Sequence, residues 1–233
     1  MAAAWVLGNL DTAEFSCRKL ANDVECAVVS VDYRLAPETS FPGAIEDCSA
    51  ATIWVASAAD ELGIDPQRIA VGGDSAGGNL TACAAYVARE NGPTLAFQLL
   101  IYPVVDADFG RASYLDNAEG YLLTRSAMQW FWDLYVPDTE DRRNVGVSPI
   151  HAADLSGLPP ALLITAEFDP LRDEAEAYGA ALEAAGVAVE TRRYNGMIHG
   201  FFHMLTENPV DGISAASRDA VAALRRAFGE DIR

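Results

Sequence analysis

The chain predicts an α/β fold in which a mostly parallel sheet is flanked by helices. Three observations carry that prediction. Short β-rich runs alternate with helix-patterned runs along all 233 residues. The β-rich runs are apolar almost throughout, as strands covered on both faces must be. One of them, Ile69-Ala-Val71, breaks at Gly72-Gly73 and passes through Gly73-Asp-Ser-Ala-Gly77 into a helix-like run from Asn79 to Ala88. G-x-S-x-G in this strand–turn–helix setting holds a serine hydroxyl above a sheet. The bare pattern also arises by chance as a Gly-rich turn, and the setting is what gives it weight. Glycines are needed because a side chain two residues before or after the serine would collide with the neighbouring strand or helix.

The elements follow in order. Trp5-Val-Leu-Gly-Asn-Leu-Asp-Thr12 ends in Thr12, a helix-cap residue, and a helix is expected from Ala13 to Asn22. Cys26-Ala-Val-Val-Ser-Val-Asp32 reads as a buried parallel strand. Ala44 to Leu62 carries apolar residues at helical spacing and stops at Gly63. After the helix that follows Ser75, Asn91-Gly-Pro93 stops the chain, and Phe97-Gln-Leu-Leu-Ile101 is a further strand. Between Asp106 and Ser148 strands vanish and aromatics cluster. That stretch reads either as a helical, cap-like insertion over the site or as a connecting helix packed by its aromatics, with Thr124 or Ser126 as its cap. Ala161-Leu-Leu-Ile-Thr165 is a core strand, and a helix follows from Leu171 to Ala185. Val187–Tyr194 alternates like a sheet-edge strand, and Ser214 to Phe228 forms the last helix. The whole chain, 1–233, reads as one domain.

With 51% hydrophobic and 21% charged residues, the balance is that of a globular protein. A net charge of −18 disfavours nucleic acid and anionic lipid as partners. Cys17, Cys26, Cys48 and Cys83 contain no C-x-x-C and read as small apolar residues of a reducing compartment. No metal site is expected from them. No apolar run is long enough to span a membrane, and Met1-Ala-Ala-Ala-Trp5 lacks a basic leader, so the expected location is the cytoplasm. Asn79-Leu-Thr81 fits a glycosylation sequon by coincidence.

A serine nucleophile needs a base, and the base needs an orienting acid. Of the three histidines, His199 lies in a glycine-flanked loop, Asn195-Gly-Met-Ile-His-Gly200, just past a strand, and is the candidate base. His203 reads as a packing residue and His151 as structural. Asp169, in Glu167-Phe-Asp-Pro170 directly after a strand, is the candidate acid. Glu167 lies closer to the strand, and Asp173 falls in the first turn of the next helix, where a carboxylate is stabilised in any case. The order Ser75, Asp169, His199 is that of α/β-hydrolases.

Together, Gly73-Asp-Ser-Ala-Gly77, Asp32-Tyr-Arg-Leu-Ala-Pro-Glu38, Asp169-Pro-Leu-Arg-Asp-Glu174 and His199-Gly-Phe201 resemble the hormone-sensitive-lipase-type (bacterial family IV) esterases of the α/β-hydrolase superfamily. The resemblance implies hydrolysis of short- to medium-chain carboxylic esters without metal or organic cofactor. It also implies a small-molecule ester as partner, no stable membrane association, and a homodimer formed through the strand near Val187–Tyr194. It makes the Ala76 N–H an oxyanion donor. The family's other donors come from a His-Gly-Gly-Gly segment ahead of Trp-Val-x-Gly. Here Trp5-Val-Leu-Gly8 follows Met1–Ala4, which puts the backbone of Ala2 and Ala3 in that place. The family also carries earlier strands and part of the cap ahead of this point. Against that pattern the chain looks N-terminally truncated, and low stability and weak activity are expected. A non-catalytic binder on a hydrolase scaffold is the alternative.

Overall fold

The computed structural model describes residues 5–204 and 210–229. Helix α1 (Leu10–Val24) is capped by Asn9, whose side chain accepts from the Thr12 N–H while Thr12 Oγ1 accepts from the Asn9 N–H. This reciprocal box starts the helix three residues before the expected position, with Thr12 inside the first turn. The expected long helix after it divides at Ala58 into α2 (Gly43–Ser57) and α3 (Ala59–Leu62), and Gly63 ends it in the left-handed region at φ 66°. There follow β1 (Ala70–Asp74), α4 (Ala76–Asn91), β2 (Phe97–Ile101), α5 (Ala112–Asp116) and α6 (Arg125–Tyr135). The chain closes with β3 (Ala161–Phe168), α7 (Arg172–Ala184), β4 (Val189–Ile198) and α8 (Asp211–Ala227).

The four strands pair in the order β1-β2-β3-β4, all parallel. Every residue of β2 is buried because its two faces meet different helices. Leu99 and Ile101, with Leu162 and Ile164 of β3, pack on Ile213, Ala216, Ala220 and Leu224 of α8. Leu100 and Leu163 point the other way, onto Ala82 and Ala85 of α4 and Tyr178 and Leu182 of α7. The period of two thus appears as two apolar faces, which is why the sequence shows a continuous apolar run. β4 is a sheet edge, as its alternation predicts, and extends to Ile198.

A third cluster joins the remaining segments. Met128, Trp132 and Tyr135 form the buried stripe of α6. Tyr135 stacks on Trp5 at 4.6 Å and Trp132 meets the same ring edge-on at 5.3 Å. Thr124 caps α6, its hydroxyl accepting from the Ala127 N–H. Asn79 of α4, fully buried, ties this cluster together: its Oδ1 accepts from Trp5 Nε1, and its Nδ2 donates to the carbonyls of Val104 and Val147.

The strand expected at Cys26–Asp32 is not formed. The segment belongs to no sheet, and Val28 and Val29 are exposed. It faces Ala70–Gly73 of β1 across a cleft of about 540 Å³. A strand needs a neighbour within about 5 Å, and the cleft separates this run from the strand edge it faces. Its β propensity therefore has nothing to pair with, and propensity alone does not make a strand.

Candidate active site

β1 ends at Asp74 and α4 begins at Ala76, so Ser75 alone makes the turn between strand and helix. It adopts φ 53° and ψ −118°, a conformation that costs a non-glycine residue about 1–3 kcal/mol. The turn is held by its own backbone: the Ser75 N–H donates to the Ile101 carbonyl at 2.9 Å, and the Ser75 carbonyl accepts from Asn79 and Val104. Of the surrounding glycines, Gly73 meets the expectation, since a Cβ there would lie 2.3 Å from the Gly77 carbonyl oxygen. Gly77 does not, because its Cβ would meet only Asp74 Oδ1 at 3.7 Å. The second tight position is Gly78, where a Cβ would approach Pro103 to 2.9 Å. Gly73→Ala is therefore expected to cost more than about 2 kcal/mol, the range for overpacking against immovable backbone. Gly77→Ala is expected to cost little. Urea denaturation of the two variants checks this ordering.

The structure brings Ser75, His199 and Asp169 together. His199 Nε2 lies 3.0 Å from Ser75 Oγ, and His199 Nδ1 lies 2.8 Å from Asp169 Oδ2. Ser75 and His199 are 6% and 8% exposed and Asp169 is fully buried, so the chain of three is shielded but reachable at its serine end. Asp169 follows β3, and its other oxygen accepts from the Leu171 N–H. The loop it rides on is pinned from α5: Ser113 Oγ donates to the Pro170 carbonyl at 2.6 Å, and the Ser113 N–H donates to Asp173. The Tyr102 ring packs on the imidazole at 4.7 Å. Ala76, fully buried, opens α4, where first-turn N–H groups have no acceptor within the helix. Ala2 and Ala3 lie outside the described residues.

The other acids have other partners. Glu167 accepts from the Gly196 N–H, and Asp173 faces Ser113 and Arg172. His151 Nε2 sits 3.0 Å from Asp106 Oδ1. His203, a packing residue on the sequence reading, instead has a polar neighbour at each ring nitrogen. Its Nδ1 lies 2.8 Å from Ser16 Oγ of α1, and its Nε2 lies 2.9 Å from Asp74 Oδ2. Sequence reading misses it because both partners are remote in the chain. The spacing that brings it there, four residues past His199 in a short 3-10 turn at Phe201–His203, carries no motif.

Behind the acid loop, Glu174 of α7 is fully buried, and one oxygen accepts from the Val105 and Asp106 N–H groups. Burial raises its carboxyl well above the ordinary range. A proton held more tightly in the folded state stabilises below the unfolded value near 4.5, and that stabilisation is lost as pH rises through the raised value. Glu174→Gln keeps an acceptor without the ionisation. Melting temperatures measured across pH are expected to show wild type losing ground to Glu174→Gln above about pH 4.5. A constant difference at every pH would refute this.

A family model described as the alpha/beta hydrolase fold matches residues 2–203. The chain is 46% identical over 228 residues to carboxylesterase NlhH of Mycobacterium tuberculosis, covering 96% of this chain and 71% of that one. It is 44% identical over 228 residues to carboxylic ester hydrolase LipN of the same organism, covering 95% of this chain and 60% of that one. It therefore spans less than two thirds of LipN's length. Among solved structures, a thermostable esterase from Pseudomonas putida superposes with a TM-score of 0.94 at 44% identity, over 100% of this chain and 73% of that one. The carboxylesterase EstE1, cloned from a metagenomic library, gives 0.93 at 44% identity, over 97% and 78%.

Proposed function

The chain belongs to the alpha/beta hydrolase family, and from that premise we propose that it is a carboxylic ester hydrolase working through an acyl-enzyme on Ser75. The observation that supports this most is the run of contacts from Ser75 Oγ to His199 to buried Asp169, placed at a strained strand-to-helix turn. The similarity to named carboxylesterases supports the ester class.

His199 Nε2 takes the proton of Ser75 as the oxygen attacks the acyl carbon, and returns it to the leaving alcohol. Asp169 accepts from Nδ1–H, which fixes the tautomer and stabilises the imidazolium as it forms. The Ala76 N–H, at the positive end of α4, donates to the oxyanion, and the backbone at Ala2 and Ala3 is assigned the remaining donors. Water then repeats the sequence against the acyl-enzyme. Short- to medium-chain esters are the proposed substrates, and no cofactor takes part in these steps.

A homodimer is part of the same proposal. β4 is one of the two edges of the described sheet, and an edge strand supports pairing there with a second copy. No helix among the described residues is long and apolar enough to cross a membrane. Cytoplasmic residence without nucleic-acid or membrane partners rests on the charge and the free thiols.

The test is hydrolysis of p-nitrophenyl acetate, butyrate and octanoate together with labelling by an organophosphonate. Turnover with one label per chain on Ser75 is expected. Neither turnover nor labelling would replace this reading with that of a binder on a hydrolase scaffold.

A further inference from the structure

Asp74 directly precedes the nucleophile and is 8% exposed. A buried carboxylate is costly unless its oxygens find partners. One oxygen, Oδ1, has no hydrogen-bond partner among the described residues. The other faces His203 Nε2 at 2.9 Å, at ion-pair distance but off the line of a hydrogen bond. The opposite ring nitrogen of His203 is engaged by Ser16, 4% exposed, on α1.

The positions of these residues matter more than their count. Asp74 is one residue before Ser75, and His203 is four residues after His199. The Asp74–His203 contact therefore joins the same two loops that the Ser75–His199 contact joins. It braces from outside the reacting pair, and Ser16 anchors it to α1. The turn it braces carries strain at Ser75 and needs such support.

We propose that His203 is a positioning residue. Seated by Ser16 and facing Asp74, it sets the separation and angle between the nucleophile turn and the base loop. The proposal rests on the esterase reading above. A displacement of about 1 Å between reacting groups is enough to lower a rate about 100-fold, and the brace acts on that coordinate.

The test compares wild type with His203→Phe, His203→Gln, Asp74→Asn and the double variant Asp74→Asn/His203→Phe. It measures kcat per phosphonate-titrated site, KM, and melting temperature. His203→Phe and Asp74→Asn are each expected to lower titrated kcat by about ten- to a hundred-fold with KM nearly unchanged. The double variant should be no worse than His203→Phe, since both act through one contact. His203→Gln, which retains an amide donor, should recover most of the rate. A purely structural role would lower the melting temperature and the titratable fraction but leave kcat per titrated site intact, and that result overturns the proposal. So does a double variant whose losses multiply. If His203→Phe does not fold, Asp74→Asn, which keeps the side chain's shape, decides the matter alone. A wild-type chain without turnover overturns the esterase reading itself, whereas wild-type turnover with unmoved variants overturns only the brace.

Discussion

Ser75→Ala is expected to lower kcat for p-nitrophenyl butyrate by about 10⁴- to 10⁶-fold and to abolish phosphonate labelling, while the melting temperature stays close to that of wild type. The rate falls because nothing else at the turn carries a nucleophile. The hydroxyl faces His199, and the backbone contacts that shape the turn run through the Ser75 N–H and carbonyl, which alanine keeps. Alanine meets the same positive φ that serine tolerates, so the strain is carried over. The measurement is steady-state turnover against a no-enzyme blank, with mass spectrometry of the phosphonate adduct. Labelling that survives the substitution would place the nucleophile elsewhere.

Asp169→Asn is expected to lower kcat by about 10⁴-fold. The introduced amide is nearly isosteric with the carboxylate, and one of its atoms must still accept from the Leu171 N–H. Its oxygen serves that contact, which turns the amide N–H₂ toward His199 Nδ1. A donor there forces the proton onto Nε2, the nitrogen that must take the serine's proton, and the base is lost while the packing survives. Glu167→Gln and Asp173→Asn sort the acids. Both carboxylates face groups outside the Ser75–His199 line, and each variant is expected to stay within about tenfold of wild type. A loss at Glu167→Gln as large as at Asp169→Asn would reassign the orienting acid. Steady-state kinetics on phosphonate-titrated samples separates these outcomes.

What can be read from the sequence is set by how local the physics is. The strand-to-helix turn at Ser75 is legible because its conformation demands glycine at a fixed offset, and the core strands because burial on two faces writes a continuous apolar run. Helix ends are less legible. The cap of α1 is a reciprocal contact between Asn9 and Thr12, and either residue has the right chemistry for the role. Cys26–Asp32 misleads because composition states what a segment would do with a neighbour and not whether one is there. Gly78 escapes in favour of Gly77 because the crowding comes from Pro103, across the sheet end. His203 escapes for the same reason, its partners being 187 and 129 residues away in sequence.

Asn79 has a consequence for how this protein is produced. Its amide nitrogen is committed to two carbonyls in the interior, yet Asn79-Leu-Thr81 satisfies the acceptor rule for oligosaccharide transfer. In a host that glycosylates nascent chains before they fold, the sugar and the core compete for the same atom. A chain that receives the glycan can no longer close around Trp5, Val104 and Val147. Secretion from such a host would yield two populations, a folded unmodified one and a modified one unable to pack. Bacterial expression, or a Thr81 substitution made for that host alone, removes the competition.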